Sequence, residues 1–147
     1  MTKRMAPIVI RLISLYQTGF LPGRFIGENG LMVHIIVQQA QHQSAPGIGF
    51  LLNQEKAYDR VLGAYLTQAL HAFGFPCAFI DSLNSLFFGN SVRINVKGFF
   101  TTSVHQERGL WQGDPLPPLL FNLALEPLLL PILQDESHMG YLSTHSD

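Results

Sequence analysis

The order of periodic segments in this sequence predicts an α+β fold in which helices back a small antiparallel sheet. Three observations carry that prediction. Apolar residues recur every three or four positions in several separate stretches, the mark of helices with one buried face. Ser91-Val-Arg-Ile-Asn-Val-Lys97 alternates polar and apolar without a break, the period of a half-buried strand. Gly and Pro mostly fall between these stretches and so separate the elements.

Taken in order, residues 2–16 place Met5, Ile8, Leu12 and Leu15 at helical spacing, despite the β-branched run Ile8-Val9-Ile10. Gly19, Pro22, Gly23 and Gly27 make 17–27 a loop. A second helix is expected over 28–43, burying Leu31, Met32, Ile35 and Ile36 and closing in the polar run Gln38 to Ser44. Pro46 and Gly47 punctuate the chain. Ile48 to Leu52 is a short continuous apolar run and predicts a buried central strand. Helices follow over 60–73, with Val61, Tyr65, Leu66 and Leu70, and over 77–88, with Phe79, Ile80, Leu83 and Phe87. Gly74 suits the left-handed cap between them and Pro76 the start of the second. The strand 91–97 turns at Lys97-Gly98 and returns as Phe99 to His105, with Val92, Ile94 and Val96 expected to pack on 48–52. A last helix begins near Pro118 and runs through Phe121, Leu125 and Leu128. Pro131, which inside a helix costs about 3 kcal/mol, is expected to end it. From Glu136 the chain is a polar tail.

Hydrophobic residues make up 47% and charged ones 13%, a composition that builds a core and excludes a disordered chain. No apolar run reaches the length of a membrane span, and the basic N-terminus lacks the pattern of a secretion signal. An intracellular location is therefore expected, without membrane partners. The single cysteine, Cys77, excludes an internal disulfide and reads as a buried structural thiol. His34, His42, His71, His105, His138 and His145 show no metal-ligand spacing. Nine Lys/Arg against ten Asp/Glu give a net charge of −1, without the basic surplus of a strong duplex binder. Lys3, Arg4, Arg11 and Arg24 nonetheless form a local basic group in the first 24 residues, with no acid among them.

Three motifs stand in one order: Gln17-Thr-Gly-Phe-Leu-Pro-Gly-Arg24, then Phe50-Leu-Leu-Asn-Gln-Glu-Lys-Ala-Tyr-Asp-Arg-Val61, then Arg108-Gly-Leu-Trp-Gln-Gly-Asp-Pro-Leu-Pro-Pro-Leu-Leu-Phe121. In order and spacing they resemble a reverse transcriptase of the non-LTR (LINE-like) retrotransposon type, from about Thr2 to Asp135. The resemblance implies a partial right-hand polymerase: partial fingers over 1–46, partial palm over 47–135 and the polar tail over 136–147. It also implies an RNA-directed DNA polymerase chemistry that uses Mg2+, with RNA or DNA as partner.

Nucleotidyl transfer needs two divalent cations, and Mg2+ prefers carboxylate ligands. The position that carries the first metal-binding aspartate in the family is Asn53, a neutral amide, and the family's double-aspartate motif does not occur in the sequence. No intact catalytic residue, no metal site and no cofactor are therefore expected in this chain. Glu55 shares a strand face with position 53 and Asp59 lies just beyond, but neither is placed to restore the site. By resemblance Tyr58 packs under the sugar of an incoming nucleotide, and Gln112 and Gly113 form a turn against the nascent base pair. These are vestigial nucleotide-binding positions. Arg24, Lys56 and Arg60 are candidate contacts to the template backbone. Trp111 stands where a basic residue is usual. Pro117 stands where the family has serine, and loss of that helix cap should cost about 1 kcal/mol. The expected function is a truncated, catalytically inactive reverse transcriptase domain that binds RNA or DNA weakly and self-associates through an exposed sheet edge. The alternative is a small nucleic-acid-binding or partner-binding module that reuses the palm surface, marked by a basic stripe around Arg24, Lys56 and Arg60.

Overall fold

The computed structural model describes residues 1–45 and 47–137. Pro46 and the tail from His138 onward, with His145, lie outside the described residues, and the expectations for that break and most of the polar tail fall there. Among the described residues the helices are α1 (Thr2–Leu12), α2 (Ile26–His42), α3 (Gly63–Ala72), α4 (Cys77–Phe87) and α5 (Pro117–Gln134). A 3-10 turn covers Tyr58–Arg60, and four short strands, β1 (Ser91–Val92), β2 (Asn95–Val96), β3 (Phe99–Phe100) and β4 (Val104–His105), lie between α4 and α5. The class is α+β with a small antiparallel sheet.

One core joins α1, α3, α4 and α5, with α3 against both α4 and α5 and α1 against α5. Leu66 and Leu70 of α3, Ile80, Leu83 and Phe87 of α4, and Leu119, Leu120 and Leu123 of α5 are all buried. Each such side chain contributes about 1.5–3 kcal/mol by leaving water. Gly74 ends α3 in the left-handed region (φ +79°), where Phe75 N donates to Leu70 O at 3.0 Å and Gly74 N to His71 O at 2.9 Å, as the sequence predicts. α1 stops at Leu12, short of residue 16, and its buried stripe is Met5, Ala6 and Val9, continued by Ile13, so Ile8 and Leu15 point outward. Positions i, i+4 and i+8 form the stripe; of the expected set Met5 is in it and Leu12 packs at its edge, while Ile8 and Leu15 fall outside.

Three apolar segments stay outside this core, and each corrects an expectation. α2 forms over nearly the expected span, but none of its residues is buried, Leu31, Met32 and Ile35 included. Periodicity reports that a helix has an apolar face; burial also requires an element to cover it, and among the described residues none buries this one. The expected central strand 48–52 does not form, and Leu51 is 93% exposed. A strand needs a neighbour's ladder groups, and the hairpin uses its own: β1 pairs with β4 and β2 with β3. That hairpin exists where predicted but does not pack on 48–52, and Val92, Ile94 and Val96 are exposed. Its register shifts between Val92↔Val104 and Asn95↔Phe100, which sets Arg93 and Ile94 opposite Thr101, Thr102 and Ser103. One extra residue on the return arm makes a bulge, closed by Thr101 N to Ile94 O at 3.0 Å and Ile94 N to Thr101 Oγ1 at 3.1 Å. Lys97 (φ +52°) and Gly98 (φ +91°) make the turn, the pair of left-handed residues that a tight hairpin prefers.

Helix α5 starts where expected but departs from its sequence reading in its cap and at its far end. It begins at Pro117 with Leu116 as the capping residue, so position 117 is the first helical residue rather than the cap, and Pro118 has no N–H for a cap to satisfy. Leu119 and Leu120 donate to Leu116 O instead, at 3.0 and 3.2 Å. The expected cost of losing the cap therefore does not arise. At the far end α5 continues through Pro127 and Pro131 to Gln134. Pro131 is exposed, and the carbonyl it leaves without a donor is that of the half-buried Pro127, which water can reach; the one Pro127 leaves is that of Leu123, inside the core. The helix that results is 18 residues with a mean hydropathy of 1.3, long and apolar enough to cross a membrane by length and composition, contrary to expectation. In this fold one face of it is the core. Cys77 also differs from expectation: it opens α4 and is exposed, because the core face of α4 is set by Ile80, Leu83 and Phe87.

Candidate functional site

The second and third motifs meet through their backbones. Leu110 N donates to Tyr58 O at 3.0 Å and Gly109 N to Val61 O at 2.9 Å, which ties the 3-10 turn to the segment leading into Gln112. Leu110 is buried and anchors the contact. Gly109 (φ +95°) is required here twice over: the backbone is left-handed, and a Cβ would stand 3.1 Å from Asp59 Cα and O. The turn that follows is fixed from both sides. Gln106 donates through Nε2 to Gly109 O at 3.0 Å and accepts through Oε1 from Trp111 Nε1. Asp114 Oδ1 accepts from Leu116 N at 2.8 Å at the mouth of α5.

These links enclose a cleft of 240 Å³ lined by Phe20, Tyr58, Trp111, Gln112, Gly113 and Pro117 among others. The structure thus brings together all three predicted nucleotide positions, Tyr58, Gln112 and Gly113. Tyr58 stands against Phe121 of α5, with ring centroids 4.9 Å apart and a 30° tilt. Burial pushes its phenol above the ordinary tyrosine value, so the hydroxyl stays protonated at neutral pH.

Phe20 reaches the cleft from the first motif, and a polar cluster holds that motif in place. Arg24 donates through Nη1 to Ser14 O at 2.5 Å and Gln17 O at 2.6 Å, and through Nη2 to Ile10 O at 3.2 Å and Ile13 O at 3.5 Å. The guanidinium thereby ties carbonyls at the end of α1 (Ile10, Ile13) to those of the loop that follows (Ser14, Gln17). Gln17, buried, donates to Asn122 O at 3.0 Å and to Glu126 Oε2 at 2.5 Å. Sequence reasoning singled out neither Asn122 nor Glu126, and gave Phe20 no role of its own. The available signal was two polar residues four apart on an otherwise apolar helix, a spacing that puts both on one face.

The remaining candidates lie apart from this cleft. Asn53 sits on the exposed segment after Leu52 and does not line the cleft with Gln112, and no strand forms at 48–52 to carry it there. Its neighbour Gln54 instead lines a second cleft, of 270 Å³, with Arg60, Tyr65 and Phe121. Lys56 is exposed with φ +51°. Arg60 pairs with Glu55 at 2.7 Å, both well exposed, so the pair is worth little to stability. Around position 53 the donors are thus a neutral amide, a carboxylate already paired with Arg60, and Asp59, exposed within the 3-10 turn. Among the described residues no three His, Cys, Asp or Glu side chains converge to hold a metal ion. These residues do not fit a Mg2+ pair.

Comparison with known proteins gives the class. The family model for reverse transcriptase (RNA-dependent DNA polymerase) matches residues 1–142. The chain is 31% identical over 113 residues to the Retrovirus-related Pol polyprotein from type-2 retrotransposable element R2DM of Drosophila melanogaster, covering 77% of this chain and 11% of that protein. It is 31% identical over 127 residues to the Transposon TX1 uncharacterized 149 kDa protein of Xenopus laevis, covering 86% of this chain and 10% of that one. A type-1 retrotransposable element R2 Pol polyprotein of Popillia japonica is 35% identical over 78 residues, 53% of this chain and 13% of that protein. The chain belongs to the reverse transcriptase family and is a partial, LINE-like domain of a retrotransposon. It spans about a tenth of the length of the curated relatives it matches.

Proposed function

We propose that this chain supplies fingers (1–46) and part of the palm (47–135) of a retrotransposon reverse transcriptase, and that it does not itself support nucleotidyl transfer. The observation that carries the reading is the cleft in which Tyr58, Gln112 and Gly113 stand together with aromatic walls from Phe20 and Trp111. Aromatic faces stack on nucleobases without regard to sequence, and a glycine beside an amide lets backbone approach a base pair closely. Inactivity is supported by Asn53. A neutral oxygen donor cannot offset cation charge, and neither Glu55 nor Asp59 is positioned to replace it.

Nucleic acid is the partner in this reading, held weakly. Of the three candidate template contacts, Arg24 is turned into the loop carbonyls and Arg60 is paired with Glu55, so only Lys56 among them is open to phosphate. The same two side chains weigh against the rival reading, a stand-alone binding module with a basic stripe. Titration of labelled single strands and an RNA–DNA duplex at two salt concentrations tests the proposal. Weak binding that falls steeply with salt and ignores sequence is expected. Submicromolar binding that survives high salt would point to a specific site elsewhere on the chain.

A further inference from the structure

Glu126 is completely buried on α5, in a helix that is otherwise almost wholly apolar. A buried carboxyl is costly unless donors satisfy its oxygens, so the donors it collects indicate what it holds. Oε1 accepts from Ser14 N at 2.7 Å; Oε2 accepts from Gln17 Nε2 at 2.5 Å and Ser14 Oγ at 3.4 Å. One turn earlier Asn122 Nδ2 donates to Gly19 O at 2.9 Å, and Asn122 O accepts from Gln17 Nε2. Every one of these partners lies on the stretch 14–19 that leads into Phe20.

Phe20 is 73% exposed, so its own burial does not hold it. Its backbone is left-handed (φ +59°), a conformation that persists in a non-glycine residue only when its surroundings impose it. The Asn122 bond fixes the carbonyl immediately before it. From there Phe20 forms a wall of the cleft shared with Tyr58, Trp111, Gln112 and Gly113.

We infer that Glu126 and Asn122 are positioning residues: from α5 they latch the 14–19 loop so that Phe20 closes the cleft. The inference rests on the proposed function only in taking this cleft as the nucleotide face. The latch itself can be read without any ligand.

Trp111, the chain's single tryptophan, is 45% exposed and lines the same cleft as Phe20, so its solvent access reports on the cleft. Acrylamide quenching of its fluorescence is measured in the parent chain, Glu126→Leu, Glu126→Gln, Asn122→Ala and a control, Thr67→Val. The control breaks the Thr67–Asn84 pair (2.8 Å) that bridges α3 and α4. Quenching should rise about twofold in Glu126→Leu and Asn122→Ala as the loop opens locally. Glu126→Gln keeps an oxygen for Ser14 N but turns an amide toward that of Gln17, and should fall between parent and Glu126→Leu. If Glu126→Leu does not fold, the Gln and Asn122→Ala variants carry the comparison. The control should lower the melting temperature without changing Trp111 quenching. Unchanged quenching in the folded latch variants, or an equal rise in the control, overturns the inference. A parallel oligonucleotide titration of the parent separates the two claims: failure to bind would sink the nucleic-acid reading, while quenching still decides the latch.

Discussion

Two residues join the motifs and can be tested singly. Gly109 permits the 3-10 turn and the segment before Gln112 to touch, so Gly109→Ala meets both a left-handed backbone and Asp59 main chain at 3.1 Å. A loss of about 1–3 kcal/mol is expected in denaturant unfolding; a neutral effect would mean that the two segments do not meet as described. Tyr58 gives a pH signature. Its folded value lies above the ordinary 10.0 because burial disfavours the phenolate, while the unfolded chain titrates near that ordinary value. The contribution is intact below 10.0 and is lost as pH rises from there through the raised folded value. The parent should therefore lose stability over that range more steeply than Tyr58→Phe, as measured by melting temperature against pH. Of the site residues, Tyr58, Gln112 and Gly113 were legible because their motifs are contiguous and carry a resemblance. Asn122 and Glu126 were not, because their partners lie more than 100 residues away and nothing local marks a polar residue as a long-range latch.

At the scale of elements, α3, α4 and the Gly74 cap were readable because their signals are local: helical spacing, a glycine for the left-handed turn and a proline at the next start. The segment 48–52 was misread for an equally physical reason. A continuous apolar run is compatible with a central strand, but only a paired neighbour makes it one, and pairing is not encoded in the run itself. The extension of α5 past Pro131 to Gln134 was hidden by a rule that holds for buried helix interiors more than for exposed ends. These distinctions predict unequal mutational costs. Leu123→Ala, at a fully buried α5 position, should cost about 2–5 kcal/mol. Ile94→Thr, on the exposed hairpin, should change stability by no more than about 0.5 kcal/mol. Urea unfolding of both variants checks the contrast; equal losses would mean that the hairpin face is covered in solution.

For the whole molecule, one feature dominates: a four-helix core beside apolar surface on α2, on 48–52 and on the hairpin, with Ile48, Phe50, Leu51, Leu52, Phe99 and Phe100 all exposed. Contiguous apolar surface and free strand edges favour association. Sedimentation of the purified chain should accordingly show mass increasing with concentration, whereas a monodisperse monomer across the accessible range would count against it. The proposed reading is of a nucleotide-facing cleft without the chemistry, with Asn53 at the position that carries a metal-binding carboxylate in the family. Primer extension on an RNA or DNA template, with Mg2+ or Mn2+ and with the purified chain, tests this most directly. The account predicts no incorporation above a no-enzyme control; template-dependent extension of the primer by this chain would contradict it.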